Sequence, residues 1–131
     1  MKNRLLKYPV YLINENPEEY KDGADGITLS VNGMLITGQL VPRKYFYEAE
    51  QNTFLNRLMV PEDEIVKDQA EGEQTTEEVD VEAEVDKITL IHLTNAFYMM
   101  GSQRVPSSGG MFIAVNIDSI DAYSIGSLNP G

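Results

Sequence analysis

The sequence predicts a mainly β, α+β fold: a small antiparallel, partly closed barrel carrying one disordered acidic insert. Three observations lead there. Residues 27–41 read as two strands around a two-residue turn. Residues 87–125 hold three further strand-like runs parted by turn-forming residues. Strands and helices never alternate in the βαβ pattern that builds a parallel sheet. Five strands with short turns, one of them bent at a glycine, match a small barrel, and a chain of 131 residues is expected to form one domain.

The first 26 residues are the least patterned. Leu5, Leu6, Val10, Tyr11, Leu12 and Ile13 form an apolar cluster with Pro9 in its middle. An interior proline removes a helix hydrogen bond, so a short helix from about Pro9 or an added strand is expected rather than one continuous helix. Residues 14–26, with Pro17, Gly23 and Gly26, read as a loop.

The hairpin is the clearest element. Ile27, Leu29 and Val31 alternate with Thr28 and Ser30, and Asn32-Gly33 follows. Asn-Gly is the preferred pair for a type I′ turn, whose two central residues need positive φ. Such a turn sets Val31 opposite Met34, Leu29 opposite Ile36 and Ile27 opposite Gly38. Slipping by one residue would expose the whole apolar row. Gly38 lacks the side chain its position calls for and marks a bulge or bend.

Residues 42–59 contain no glycine, start with Pro42 and place Tyr47, Glu50, Phe54 and Leu58 on one helical face, with Phe46 beside it. A helix packed on the sheet is expected. Tyr45, Phe46 and Tyr47 are the aromatic candidates for partner contact.

Residues 61–86 hold twelve acids and one base, so this segment carries −11, the net charge of the whole chain. It has no aromatic residue and is expected to be disordered, because it cannot bury enough apolar surface to offset its ordering entropy. Val79, Val81 and Val85 alternate with acids near its end, a weak strand pattern. Residues 87–100 read as a strand bending near Thr94-Asn95, residues 101–110 as a loop carrying Arg104, and residues 111–115 and 119–125 as strands. The last two hold a single charge, Asp121, and neither lysine nor proline. Exposed edges of that kind invite pairing, so a homo-oligomer is expected.

The chemistry implied is sparse. The chain has no cysteine, which excludes disulfides and thiolate metal sites. No apolar run approaches the length of a membrane span, and the basic N-terminus lacks an apolar signal core, so a cytoplasmic protein is expected. His92, the single histidine, sits mid-strand without an H-E-x-x-H context or an evident acid partner and reads as structural. The serines at 102–108 lie in no nucleophile elbow, and the glycines of 101–110 form neither a phosphate loop nor a dinucleotide fingerprint. The clustered acids lack the calcium-loop spacing. The expectation is a non-enzyme without cofactor or metal. Outside the acidic segment nine acids balance nine bases, which argues against nucleic acid as a partner.

Two blocks resemble the gas vesicle accessory protein GvpU family. One is residues 27–41, continuing to Tyr45-Phe46. The other joins Ile91-His92-Leu93 and Asn95, Ser102 with Pro106-Ser107 and Gly109, and Asp121, Tyr123 and Ile125-Gly126. They occur in the same order, with an acidic low-complexity segment between. The resemblance implies a non-enzymatic accessory protein linked to the organisation of gas vesicles, with gas vesicle proteins as partners. The hairpin also resembles the first half of an SH3/Sm-like barrel. Pro42-Arg43-Lys44 and Met100-Gly101 stand where Sm proteins carry their RNA-binding residues, so that pocket is missing. The reading is thus an accessory or scaffold protein acting through strand edges, Tyr45, Phe46, Tyr47 and the acidic arm. The alternative is an Sm-like oligomeric barrel binding RNA, and a third reading is a small-anion binder using Arg104.

Overall fold

The two-residue turn at Asn32-Gly33 forms as its chemistry requires, with φ of 52° and 83°. It joins β1 (Gly26–Val31) to β2 (Met34–Leu40) in the expected register, Val31 opposite Met34, Leu29 opposite Ile36 and Ile27 opposite Gly38. In the computed structural model, which describes residues 3–58 and 80–126, this hairpin is the centre of a six-stranded sheet. The other strands are β3 (Leu90–Met100), β4 (Gln103–Val105), β5 (Met111–Asn116) and β6 (Ala122–Ile125). All pairings are antiparallel, in the order β4-β3-β2-β1-β6. β5 also pairs with β3, along Leu90–Ala96, while β4 takes Tyr98–Met100. Among the described residues the sheet is not closed, for no pairing joins β6 to β4 or β5. The count is six strands rather than five because the 101–110 loop contains β4.

β3 is bent where the sequence places the bend. Its pairing with β2 shifts between Thr37 and Gln39, and its pairing with β5 shifts between Leu93 and Ala96. Asn95, inside the second shift, has φ 50° and donates its side-chain amide to Gln39 Oε1 at 2.7 Å. Gly38 faces this bend across the ladder. A Cβ built there would stand 2.7 Å from Ala96 Cβ and 3.1 Å from the Thr94 carbonyl oxygen. The glycine is therefore needed for close approach of the two backbones.

The core lies between one sheet face and α1 (Arg4–Glu15). Leu6, Val10 and Ile13, spaced to share a helical face, pack with Ile27, Leu29, Ile36, Leu40, Ile91 and Leu93. Burying each such side chain contributes about 1.5–3 kcal/mol. This stripe corrects the expectation that Pro9 divides the segment. The helix runs through Pro9, because tertiary burial outweighs one lost hydrogen bond, and Leu5, whose carbonyl would have received it, lies exposed. After α1 comes a short 3-10 turn, Pro17–Tyr20, where a plain loop was expected.

The helix expected over residues 42–59 is broken. α2 (Arg43–Glu48) stops at Ala49, whose ψ of 144° is extended. A 3-10 turn at Glu50–Asn52 follows, then α3 (residues 53–58). Asn52 fixes the break by donating its buried amide to the Phe46 carbonyl at 2.7 Å. The predicted stripe is thereby split, so Phe46 is buried while Phe54 and Leu58 are exposed.

The end of the acidic segment is helical, not strand-like. α4 (Val81–Asp86) begins at Asp80, whose carboxylate accepts the Ala83 N–H at 3.3 Å, an N-cap. Val85 is fully buried, Arg4 pairs with Glu82 and, at 3.0 Å, with Asp86, and Lys7 Nζ donates to the Asp86 carbonyl. The hydrogen bonds from Arg4 and Tyr8 hold the Glu82 carboxyl below its ordinary pKa. β3 consequently starts at Leu90 instead of Lys87. The disorder expected for residues 61–86 is corrected at its end, where 80–86 are ordered, and for residues 61–79 it lies outside the described residues.

Candidate interaction site

The predicted aromatic candidates lie on α2, which is anchored at its first residue. Asn14 of α1 accepts the Arg43 N–H at 2.8 Å, and the Val41 N–H donates to the His92 carbonyl at 3.0 Å. These bonds seat Phe46 on β3, its ring 4.7 Å from the His92 imidazole and 6.2 Å from Phe112. Phe46 is thus interior and offers no surface to a partner. Tyr47 is half-buried, 5.1 Å from Phe46 and 5.8 Å from His92, with Arg43 stacked 5.3 Å over its ring. Tyr45 turns to the other side, half-buried under Lys44 and beside Glu18, and its hydroxyl pKa is raised by desolvation and by that carboxylate.

His92 is 4% exposed, and among the described residues neither ring nitrogen has a hydrogen-bond partner. Burial, reinforced by the Arg43 charge, pushes its pKa down to about 4, so the imidazole is neutral. It borders a cavity of about 390 Å³ also lined by Tyr11, Asn14, Arg43, Tyr47 and Lys87. Among the described residues, no group of three or more His, Asp or Glu side chains is placed to hold a metal.

Arg104, the candidate for a small anion, lies on β4. Its guanidinium stacks 4.2 Å over the Phe97 ring and donates to the Gly109 carbonyl. These contacts tie Arg104 to Phe97 and to the end of its own loop. Asn32 and Gly33 sit at the hairpin tip, where the Asn32 N–H donates to the Asp121 carboxylate at 2.9 Å, and Gly38 and Asn95 meet at the bend. The structure therefore brings Phe46, Tyr47 and His92 together, and leaves Tyr45, Arg104 and the hairpin tip apart from them.

Three surface features bear on partner contact: the strand edges at β5 and β6 were expected from the sequence, and the exposed face of α3 and the cover on β5 were not. The first is apolar: Phe54, Leu55 and Leu58 on α3 are all exposed, Phe54 at 71%. The second is the edge of β5. Gln51 receives the Phe112 N–H and donates to the Phe112 carbonyl, both at 2.9 Å, as a neighbouring strand would. The third is β6, whose four residues are all exposed and which, among the described residues, pairs on one side only, with β1. The repeated apolar letters at 54, 55 and 58 were the one available signal. A glutamine bonding 61 residues away leaves no local trace.

The family model described as gas vesicle protein GvpU-like matches residues 4–128. No curated protein and no solved structure matches the chain. The match spans nearly the whole chain, so the chain belongs to the gas vesicle protein GvpU-like family, a gas vesicle accessory family not known as enzymatic. Among the described residues, no helix is long and apolar enough to cross a membrane.

Proposed function

From this family membership we propose that the protein is a non-catalytic scaffold of gas vesicles, acting by protein–protein contact. The observation that carries the contact is the apolar face of α3. Phe54, Leu55 and Leu58 occupy positions i, i+1 and i+4 of one short helix, on one side of it, and the sheet does not cover them. Clustered exposed apolar side chains mark interaction surfaces more often than isolated ones do. Tyr45 and Tyr47 on α2, each half-buried and on different sides, would be further contact residues. Purified protein mixed with isolated gas vesicles should rise with them on flotation, and Phe54→Ser with Leu58→Ser should remove it from the floating layer. Protein that stays in the bulk solution in both cases refutes the reading.

The scaffold would also self-associate through strand edges. The body of the chain is neutral and the acidic segment carries its whole charge, so that segment supplies what repulsion there is between copies. Salt screens it over about 8 Å at 0.15 M. Deletion of residues 61–79 removes eight acids and one lysine while sparing α4 and buried Val85. Assemblies measured by light scattering should grow on that deletion, and in the intact chain as salt is raised. A monomer indifferent to both excludes self-association.

The bends at Gly38 and Asn95 support an SH3/Sm-like curvature of the sheet. An RNA-binding role for it has less support, since the body is neutral and Arg104 is turned onto Phe97 and Gly109. Tight RNA binding with a steep salt slope would reverse that preference.

A further inference from the structure

Among the described residues the sheet has three edge strands, the three-residue β4 and the longer β5 beside β3, and β6 beside β1, and the two longer edges differ. On β5 the Ile117 N–H donates to the Thr89 carbonyl at 2.9 Å, in register with the β3 ladder. Residues 113, 115 and 117 therefore turn their backbone groups to β3, and Phe112, Ala114 and Asn116 turn theirs outward. Gln51 already occupies both groups of Phe112. The 3-10 turn Ile117–Ser119 ends the strand at its other side. Only a fragment of this edge can accept a strand.

β6 has no such cover. The Gly126 N–H donates to the Gly26 carbonyl at 2.7 Å, in register with the β1 ladder. By the same alternation, residues 122, 124 and 126 face β1, and the N–H and C=O groups of Tyr123 and Ile125 point outward. Among the described residues these groups have no hydrogen-bond partner. Tyr123 and Ile125 lie opposite Leu29 and Ile27, which are fully buried, so they stand on the core face of the sheet. At the rim that face is uncovered, and Ile125 is 69% exposed. Residues 122–125 carry no charge.

We infer that β6 pairs with β6 of a second copy of this chain, antiparallel about a two-fold axis at Ser124. The arrangement is self-complementary. Tyr123 of each copy lies opposite Ile125 of the other, and their outward N–H and C=O groups are mutually satisfied. The same register sets the Tyr123 ring against the exposed Ile125 side chain and extends the core face of one sheet into the other. The two Ser124 residues form a non-hydrogen-bonded pair, where Cα atoms stand about 4.5 Å apart. A β6–β6 pair about a two-fold axis uses the same edge of both copies, so the assembly closes as a dimer. The inference rests on the self-association proposed above and names its edge and symmetry.

The chain has no cysteine, so single cysteines report the geometry directly. Ser124→Cys should form an intermolecular disulfide under mild oxidation, because cross-strand Cβ atoms at this position are within disulfide reach. Ala122→Cys should not, since in this register the two copies of residue 122 are offset by four residues, about 13 Å. Ile125→Lys, an exposed position where a charge cannot disturb the interior, should remove the dimer in light scattering while leaving the circular dichroism spectrum unchanged. Several-fold more cross-linked product from Ser124→Cys than from Ala122→Cys, together with loss of the dimer on Ile125→Lys, is the expected result. Equal cross-linking of the two cysteine variants, or assembly that survives Ile125→Lys, overturns the β6 pairing but leaves self-association through another surface. A chain monomeric throughout, with no cross-link from Ser124→Cys, overturns both.

Discussion

Gly38→Val should lower stability by about 1–3 kcal/mol, on the order of 10 °C in the unfolding midpoint. The cause is the approach of β3. Any Cβ at position 38 falls 2.7 Å from Ala96 Cβ, 3.0 Å from Ala96 Cα and 3.1 Å from the Thr94 carbonyl oxygen. Two of these neighbours are backbone atoms and cannot rotate away. The backbone would have to move where β2 and β3 already change register, and where Asn95 already holds a positive φ. Gly38→Ala should cost nearly as much as valine, since Cβ itself is the offending atom. Melting curves of the two variants check this. Midpoints equal to that of the parent chain would show that β3 can recede from Gly38 without loss.

Acidification should destabilise the protein through His92. Its pKa is lowered from the ordinary 6.5 to about 4, first by burial and then by the Arg43 charge. The unfolded chain therefore takes up this proton at higher pH than the folded one does. The stability contributed by the neutral imidazole is complete above about pH 6.5 and is lost as pH falls towards 4. Over that window the loss amounts to about 3 kcal/mol, at 1.36 kcal/mol per unit of pKa difference. The charged groups around the adjoining cavity are Glu15 of α1, Arg43 of α2, and Glu84 and Lys87 at the end of α4. None supplies a hydrogen bond that would stabilise an imidazolium. His92→Leu should hold its stability at pH 7, because it removes two buried unsatisfied nitrogens, and should flatten the pH dependence between 6.5 and 4. Glu82, whose depressed pKa also costs stability on acidification, is present in both proteins and cancels in the comparison. Denaturant titrations of both proteins across this range measure the difference. Equal slopes would assign the acid sensitivity to the carboxylates.

The elements read correctly from the sequence share a property: what determines them is near in the chain. The β1–β2 register follows from a two-residue turn and an alternation of five letters. The bend in β3 was read at Asn95, a residue type that tolerates the positive φ it holds there. The elements read wrongly depend on partners far away. Pro9 sits inside α1 because Leu6, Val10 and Ile13 find the sheet. The 81–86 stretch is a helix because Arg4, Lys7 and Tyr8 receive it 74–82 residues away in sequence. Its N-cap Asp80, with Val81 and Val85 four apart, was a legible helix signal that alternation with acids obscured.

By itself the sequence determined the antiparallel β character, the hairpin and its register, the concentration of charge in one segment and the family resemblance, all carried by short-range spacing or by residue counts. Tertiary structure alone decided which aromatic is interior and which edge is open. Phe46 is buried and Phe54 exposed because Asn52 breaks the helix between them. β5 is capped and β6 is not because Gln51 reaches Phe112 across the fold. Burial and edge capping depend on which surfaces meet, and chain connectivity does not encode that locally.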